Sequence, residues 1–164
     1  MHLMSLAAEF KIDVITFMSE ETPKPSEAVT TAWTSIMRAR ERLLGAIEAE
    51  LKAAGMPPLA WYDVLWELAR SRDGKLRPYE IEAQTLLTQY NLSRLIDRLE
   101  KEGLVRREAF AEDGRGRWVV ITDAGRKLRE RMWTVYARSI ETHIGCKLAE
   151  NEAKGIAGLL DRFL

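Results

Sequence analysis

The sequence predicts a mainly α-helical protein with one small β-hairpin. Three observations lead to this fold class. Apolar residues recur every three or four positions in several long segments, as they do on one face of an amphipathic helix. Two short runs, residues 104–110 and 117–121, read as strands around a polar turn that contains glycine, which is typical of a hairpin. No apolar run approaches the roughly 18 residues that a membrane span needs, so no membrane passage is expected.

Two helices are predicted in the first half of the chain. The first covers residues 28–54, and its apolar positions are spaced at threes and fours. They are Val29, Trp33, Ile36, Met37, Leu43, Leu44, Ile47 and Leu51. Gly55 and the pair Pro57-Pro58 end this helix. The second covers residues 59–71 with the same periodicity, and the turn formed by residues 72–74 ends it.

A short helix and a longer one follow. After the sequence "KLRP", residues 79–85 predict a brief third helix with Ile81 directed inward. Thr88 can cap the fourth helix, because its hydroxyl can accept a hydrogen bond from a first-turn amide. The buried stripe of this fourth helix is Leu92, Leu95, Ile96 and Leu99. Gly103 ends the helix at the C′ position.

The predicted hairpin lies between the fourth helix and the C-terminal part of the chain. Residues 104–110 and 117–121 form its strands around the turn "AEDGRG". Thr122 is placed as the N-cap of a long fifth helix, with Asp123 near the positive end of the helix dipole. A last helix is indicated by Ile156, Leu159, Leu160 and Phe163.

Residues 1–27 are predicted to form an arm or an extra helix. The segment "EETPKPSEA" has the composition of a linker, and the residues before it are apolar enough to cover a hydrophobic surface. A disordered tail is the alternative.

Charge and cysteine content narrow the possible function classes. The net charge is zero, but residues 74–131 hold more Lys and Arg than Asp and Glu, and the remainder holds fewer. A single cysteine, Cys146, and the lack of a secretory signal pattern predict a cytoplasmic protein. Cys146 has no second cysteine to resolve an oxidised form, so a structural role is predicted for it. The pair His2 and His143 does not suggest a metal site.

No catalytic motif is found. The sequence has no Gly-rich phosphate loop, no Gly-x-Ser-x-Gly elbow and no His-Cys cluster. We therefore predict neither enzymatic activity nor a cofactor.

The order of helices and hairpin predicts a winged helix-turn-helix between terminal helices. A helix presented across a tight turn fits the major groove of B-DNA, and its first-turn side chains reach base edges. The loop of a neighbouring hairpin can lie along the backbone or minor groove, where arginine is attracted to phosphates. The chain carries arginines on the fourth helix and in the hairpin turn, as such a two-groove contact requires.

Two stretches resemble the multiple-antibiotic-resistance regulator (MarR) family. They are "YEIEAQTLLTQYNLSRLIDRLEKEGLVRR" and "EDGRGRWVVITDAGRKL". The second contains an Asp-x-Arg wing motif, here Asp113-Gly114-Arg115, and a Thr-x-x-Gly helix start, here Thr122 to Gly125. The resemblance covers roughly residues 59–128.

The resemblance implies a homodimer that binds a pseudo-palindromic operator on double-stranded DNA, usually as a repressor. It further implies that residues 55–121 form the DNA-binding domain and that residues 28–54 and 122–164 form dimerisation helices. Many members of the family are released from DNA by small aromatic or phenolic effectors.

The predicted DNA-contacting residues lie on the fourth helix and the wing. They are Thr88, Gln89, Tyr90, Asn91, Ser93, Arg94, Arg98, Asp113, Arg115 and Arg117. Gln and Asn can pair with adenine and Arg with guanine in bidentate fashion. Asp113 is expected to orient the arginine or the turn, because a carboxylate is repelled by phosphate. The alternative for the helix residues is an ordinary solvated face.

Aromatic residues of the first two helices form a candidate effector pocket. Its predicted members are Trp33, Met37, Arg40, Trp61, Tyr62, Leu65 and Trp66. An apolar pocket with a polar group such as Tyr62 or Arg40 suits an aromatic carboxylate or phenol. Aromatic residues at helical spacing are also common in a simple core, so both interpretations stay open.

One position departs from the family pattern. Leu86 lies in the turn before the fourth helix, where this family frequently has glycine. Leucine at positive φ would be strained, so we expect a different turn geometry.

Two other functions are considered: a DNA-binding regulator without an effector, and a winged-helix protein-interaction module that does not bind DNA.

Overall fold

The computed structural model describes residues 24–109 and 116–164. The chain divides into two compact units, residues 1–39 and residues 40–164. The helices are α1 (Glu27–Ala53), α2 (Leu59–Arg70), α3 (Pro78–Gln84), α4 (Gln89–Lys101), α5 (Asp123–His143) and α6 (Glu150–Leu160). The strands are β1 (Lys75–Leu76), β2 (Val105–Ala109) and β3 (Arg117–Ile121), and single 3-10 turns cover Gly145–Lys147 and Asp161–Phe163.

The helices predicted from residue 28 onward and the hairpin strands are confirmed with small shifts at their ends. The predicted arm or extra helix of residues 1–27 lies almost entirely outside the described residues. The two predicted threonine caps are present: Thr88 Oγ1 accepts from the Asn91 N–H at 3.4 Å, and Thr122 Oγ1 accepts from the Gly125 N–H at 3.1 Å. Gly103 ends α4 with a φ of 70°, which a residue with a Cβ rarely adopts. Local hydrogen-bonding chemistry therefore sets these helix ends.

The sheet has one strand more than the sequence predicts. Its order is β1-β3-β2 and all pairs are antiparallel, so the wing hairpin carries β1 on its outer edge. Lys75 pairs with Val120 and Leu76 pairs with Val119. The sequence analysis assigns no strand to residues 75–76, so β1 is an addition to the predicted elements. A strand of two residues shows no alternation, so only its pairing with β3 reveals it.

The core of the second unit lies between α2, α4, the sheet, the first half of α5 and the C-terminal part of α1, where Leu51 is fully buried. Its fully buried side chains include Leu65 and Leu68 of α2, Leu99 of α4 and Met132 of α5, together with the predicted inward residue Ile81. Burial of each such side chain contributes about 1.5–3 kcal/mol. This packing fixes the base on which α4 and the hairpin stand.

The N-terminal part of α1 and the whole of α6 expose apolar residues. In the first unit, Trp33 of α1 is 61% exposed. In the second unit, α6 has no buried residue, and Leu159 and Phe163 near its end are 54% and 79% exposed. In these two parts of the chain, apolar residues at helical spacing are therefore exposed, whereas those of α4 are buried.

The turn before α4 avoids positive φ. Within the described residues, only Gly55, Gly74 and Gly103 have positive φ, so Leu86 does not. The expectation of a different turn geometry is confirmed, and the Leu86 side chain is 91% exposed. None of the described helices is long and apolar enough to cross a membrane.

Candidate nucleic-acid interface

Helix α4 presents a polar face opposite its buried stripe. Leu92, Leu95, Ile96 and Leu99 are all at most 7% exposed. At about 100° per residue, Tyr90 and Arg94 point away from this stripe, with Gln89 and Ser93 on one side and Asn91 and Arg98 on the other. All six of these polar side chains are exposed. The predicted DNA-contacting residues of this helix therefore share one exposed surface.

Tyr90 and Arg94 form a pair at the centre of that surface. Arg94 Nη1 donates to Tyr90 Oη at 3.1 Å, and the Arg94 guanidinium lies 5.5 Å from the centre of the Tyr90 ring. Residues four apart on a helix are neighbours, so this contact holds the guanidinium along the helix. Thr88 has a different role, since its hydroxyl caps the helix.

A groove of about 490 Å³ separates α4 from the wing, and we call it the wing groove. Gln89 and Ser93 form its α4 wall, Tyr79 at the start of α3 forms another part, and Arg117 of β3 lies on the wing side. Arg77 and Arg107 also line it, as does Glu82. The groove is therefore open beside the exposed polar face of α4, and most of its charged side chains are basic.

A second groove of about 230 Å³ lies on the opposite flank of α4. It is lined by Asn91, Arg94 and Arg98 of α4 and by Trp61 of α2. Sequence analysis placed Trp61 in the effector pocket, whereas in the structure it lies beside the exposed polar face of α4. Basic side chains thus border both flanks of α4.

Arg107 connects β2 of the wing to α4. Its Nη2 donates to Asp97 Oδ1 at 2.5 Å, its Nη1 donates to Glu100 Oε2, and its backbone N–H donates to Glu100 Oε1 at 3.1 Å. Partial burial disfavours the charged form of Arg107, but the hydrogen bonds and charges of Asp97 and Glu100 together outweigh it and raise the pKa of the guanidinium. The cation is therefore engaged within the protein and holds β2 against α4.

Aromatic rings hold further cations at the edge of the sheet. Arg77 lies 5.2 Å from the centre of the Trp118 ring and 6.0 Å from that of Tyr79. Lys75 Nζ lies 5.3 Å from the same Trp118 ring. Sequence analysis missed these residues because the contact depends on β1 pairing with β3. No local spacing indicates that pairing.

The predicted wing residues Asp113 and Arg115 lie outside the described residues. Arg117 is described, and its exposed side chain borders the wing groove. The DNA-contacting role of all three stays a prediction.

The residues predicted for an effector pocket occupy different environments. Tyr62 and Leu65 are buried in the core of the second unit. Tyr62 stacks on Trp133 with ring centres 5.9 Å apart and meets Tyr136 edge-on at 5.2 Å. Burial raises the pKa of the Tyr62 hydroxyl. Trp66 is 40% exposed and, unlike Trp61, faces α5.

Trp66 lines a cleft of about 290 Å³ between α2 and α5, together with Arg70, Arg126 and Arg129. The Arg129 guanidinium lies 5.5 Å from the centre of the Trp66 ring. Three further predicted pocket residues, Trp33, Met37 and Arg40, are exposed on α1. Trp61 and Trp66 thus line separate clefts, and the effector pocket stays a prediction.

Comparison with known proteins connects this geometry to a family. Residues 54–116 match the model of the MarR family. No curated protein gives a significant sequence match. The structure resembles the MarR family transcriptional regulator Sco3205 of Streptomyces coelicolor, crystallised in complex with DNA, with a TM-score of 0.77 and 28% identity. That similarity covers 87% of this chain and 90% of the other.

Two further regulators from the same organism have the same fold. Sco5413 is 28% identical with a TM-score of 0.72, and the match covers 84% of this chain and 94% of the other. AbsC is 24% identical with a TM-score of 0.77, and the match covers 87% of this chain and 95% of AbsC. The family match spans the helix-turn-helix and β2, and the structural matches extend over the terminal helices. The chain therefore resembles the MarR family of winged-helix transcriptional regulators, in sequence over residues 54–116 and in fold over most of its length.

Proposed function

We propose that the protein is a sequence-specific DNA-binding regulator that binds a pseudo-palindromic operator as a homodimer. The observation that carries this proposal is the exposed face of α4, on which Gln89, Tyr90, Ser93 and Arg94 stand between two grooves bordered by arginines. An α-helix fits the major groove, and amide and guanidinium groups are the side chains that pair bidentately with adenine and guanine. The DNA-bound relative Sco3205 supports the same use of this fold.

The wing supplies the second part of the proposed interface. Arg117 borders the wing groove, and the sequence between β2 and β3 contains Arg115, which lies outside the described residues. Arginine at this position suits a phosphate or the minor groove beside the major groove that α4 enters. Asp113 would orient the turn or the arginine and would not itself meet phosphate.

Homodimer formation is supported by the exposed apolar side chains of α6. Ile156, Leu159 and Leu160 are each at least 39% exposed and recur at helical spacing. A second copy of the chain can cover such a stripe, and the two heads would then meet successive major grooves about 34 Å apart. In this proposal residues 28–54 and 122–164 provide the dimerisation helices and residues 55–121 the DNA-binding domain.

We further propose that the regulator is a repressor released by a small aromatic or phenolic effector. A dimer that spans two major grooves excludes other proteins from the same DNA. The chain offers aromatic surface for such a ligand at Trp61 and Trp66 and on the exposed part of α1 at Trp33. A DNA-binding regulator must share a compartment with its operator, which agrees with the cytoplasmic location expected from the sequence.

Selection of binding sites from a random duplex pool tests the DNA-binding proposal. The expected result is a pseudo-palindrome whose half-sites are one helical turn apart, bound with an affinity that falls steeply with added salt. Arg94→Ala should relax base preference within each half-site, whereas the matched variant Arg131→Ala, on exposed α5, should leave the selected motif unchanged. Recovery of no motif and no salt-dependent binding would indicate a protein-interaction module.

The effector proposal has a separate test. Salicylate should raise the melting temperature and lower affinity for the selected duplex, because a ligand that binds one state stabilises that state. A duplex affinity unaffected by salicylate and by related phenols would indicate a regulator without this class of effector.

A further inference from the structure

The groove on the flank of α4 away from the wing has no acidic residue in its walls. This groove of about 230 Å³, which we call the flank groove, lies between α4 and the start of α2. Its polar lining residues are Asn91, Arg94 and Arg98 of α4 and Trp61 of α2. The rest of its lining is apolar and consists of Pro58, Ala60, Leu87 and Leu95. The charge of the two arginines is therefore not offset by a carboxylate within the groove walls.

Arg98 carries a charge that the described part of the protein leaves unpaired. Its side chain is exposed, and its guanidinium forms no ion pair or hydrogen bond with another described residue. Arg107, which lines the wing groove, differs because Asp97 and Glu100 engage it. A guanidinium without such partners keeps its N–H donors for a ligand. Arg98 is therefore suited to bind an anion that enters the flank groove.

Trp61 supplies a second donor in the same groove. Its half-buried side chain packs against the hydrophobic core of the second unit. The indole N–H is not donated to any of the residues that the structure describes. A tryptophan with one buried edge commonly uses this N–H for a hydrogen bond where the other edge is wet. Because the core already holds the ring, little conformational freedom is lost when the N–H binds a ligand.

The geometry of a helix in the major groove indicates which anion suits this position. Such a helix has the phosphates of one DNA strand along each of its flanks. The proposed wing contacts lie on one flank of α4, and the flank groove lies on the other. Arg98 follows Asn91 by about two turns, or roughly 10 Å along the axis, whereas base edges are met by the first turn. A long side chain at this place is suited to reach the sugar-phosphate backbone.

We propose that the flank groove binds a phosphate of the DNA strand opposite the wing, with Arg98 as the cation and the Trp61 indole N–H as a second donor. The wing then contacts one strand and the flank groove contacts the other, so α4 is held in the major groove from both sides. This inference rests on the proposed DNA-binding function and adds Trp61 and a second backbone contact to it.

The first experiment measures the affinity of full-length protein for a fluorescently labelled duplex, recovered by the selection described above, as a function of salt. Arg98→Gln should lower affinity roughly tenfold, as expected for loss of a charged hydrogen bond. The slope of log affinity against log salt should fall by about 1 for each bound head, because one fewer phosphate is neutralised. The selected motif should stay the same, because a phosphate carries no base identity. Arg131→Gln removes a positive charge from exposed α5 and should change neither affinity nor slope.

The second experiment locates the contact by replacing single phosphates of the duplex with uncharged methylphosphonates. Wild type should lose affinity at the phosphate that meets the flank groove, whereas Arg98→Gln should lose little more there, because both changes remove the same interaction. Trp61→Phe keeps a ring but removes the N–H, so affinity should fall while the salt slope is retained. Circular dichroism confirms that each variant is folded. If Trp61→Phe is not, the same scan of Arg98→Gln, a change at an exposed residue, still tests the site.

Failure of this inference and failure of the proposed function give different results. If wild type binds duplex DNA with a steep salt dependence, and Arg98→Gln matches Arg131→Gln in affinity and slope, the flank-groove contact is overturned and DNA binding stands. The contact is also overturned if Arg98→Gln and wild type lose equal affinity at every methylphosphonate position. Wild-type affinity in folded Trp61→Phe would overturn the second donor alone. If wild type shows no salt-dependent binding, the proposed function is lost and this inference with it.

Discussion

Gly125 lies in the first turn of α5, next to the backbone of Leu104 just before β2. A Cβ at this position would collide with the carbonyl oxygen of Leu104 and would come within 2.9 Å of Ile121 Cγ1. The same residue donates its N–H to the Thr122 hydroxyl. The Thr-x-x-Gly pattern thus combines a helix cap with a position that has no room for a side chain.

Gly125→Ala is expected to destabilise the fold by about 1–3 kcal/mol, since backbone and core atoms must move to admit the methyl group. Urea unfolding followed by circular dichroism measures this change. Gly45→Ala on α1 is the control, because among the described residues no atom outside the adjoining helix backbone lies within 4 Å of a Cβ built there, and alanine is the better helix former. Equal stability of the Gly125 variant and wild type would contradict the close packing at this turn.

Asp63 on α2 carries an unfavourable charge in the folded protein. Burial, followed by repulsion from Glu48 and Glu67, raises the pKa of its carboxyl from 3.8 to about 6. The folded state therefore holds this proton more tightly than the unfolded chain does. The stability contribution of Asp63 falls as pH rises from 3.8 towards 6 and stays at its minimum above that value.

Asp63→Asn should therefore increase the free energy of unfolding at pH values above about 6, and this gain should vanish as pH approaches 3.8. Thermal or urea unfolding across this pH range tests the prediction. Glu41→Gln on the exposed side of α1 serves as the control for removal of one negative charge. A gain that is constant with pH would show that titration of Asp63 is not its cause.

At the scale of elements, Arg107 holds the wing strand β2 against α4. It joins β2 to Asp97 and Glu100 on α4, and its side chain is only 25% exposed. The neighbouring Arg106 pairs with Glu108 within the same strand, with both side chains more than 40% exposed. The Arg107 pairs therefore connect β2 to α4, whereas the Arg106–Glu108 pair lies within β2.

A double-mutant cycle compares these two pairs. Coupling between Arg107 and Glu100 is expected to be about 1 kcal/mol after allowing for the partial exposure of Glu100, because burial strengthens a charged hydrogen bond. Coupling between Arg106 and Glu108 is expected to be below about 0.5 kcal/mol. Urea unfolding of the single and double variants to glutamine gives both values. Similar couplings would show that Arg107 does not fix the wing to α4.

For the whole molecule, the question is what covers the apolar side chains of α6. Ile156 and Leu160 lie one turn apart and are 45% and 39% exposed. Lys154 lies on the opposite face of the helix at about 100° per residue. In the proposed dimer, the first pair enters the interface and Lys154 stays in water.

The variant Ile156→Glu with Leu160→Glu should therefore sediment as a monomer, because charge at a dimer interface is costly when unpaired. Its duplex affinity should fall by a factor on the order of 10² to 10⁴, since the second head no longer binds at a high effective concentration. Lys154→Gln should remain dimeric. A double variant that still sediments as a dimer would place the interface elsewhere.

Much of the fold and part of the candidate site are predictable from the sequence, and the reason is local. The cap at Thr88, the stop at Gly103 and the stripe from Leu92 to Leu99 depend on residues a few positions apart, so spacing alone predicts α4 and the face that it exposes. The family resemblance rests on the same short-range patterns, which the family match over residues 54–116 confirms.

The tertiary structure decided what depends on distant residues. The pairing of Lys75 with Val120 creates β1 and brings Arg77 to Trp118, and no periodicity in two residues indicates it. Likewise, Trp61 and Trp66 lie on the same helix but line different clefts, because α4 packs beside one and α5 beside the other. Hydrophobic spacing determines which side of a helix is buried, whereas the neighbour that buries it is chosen only when the whole chain packs.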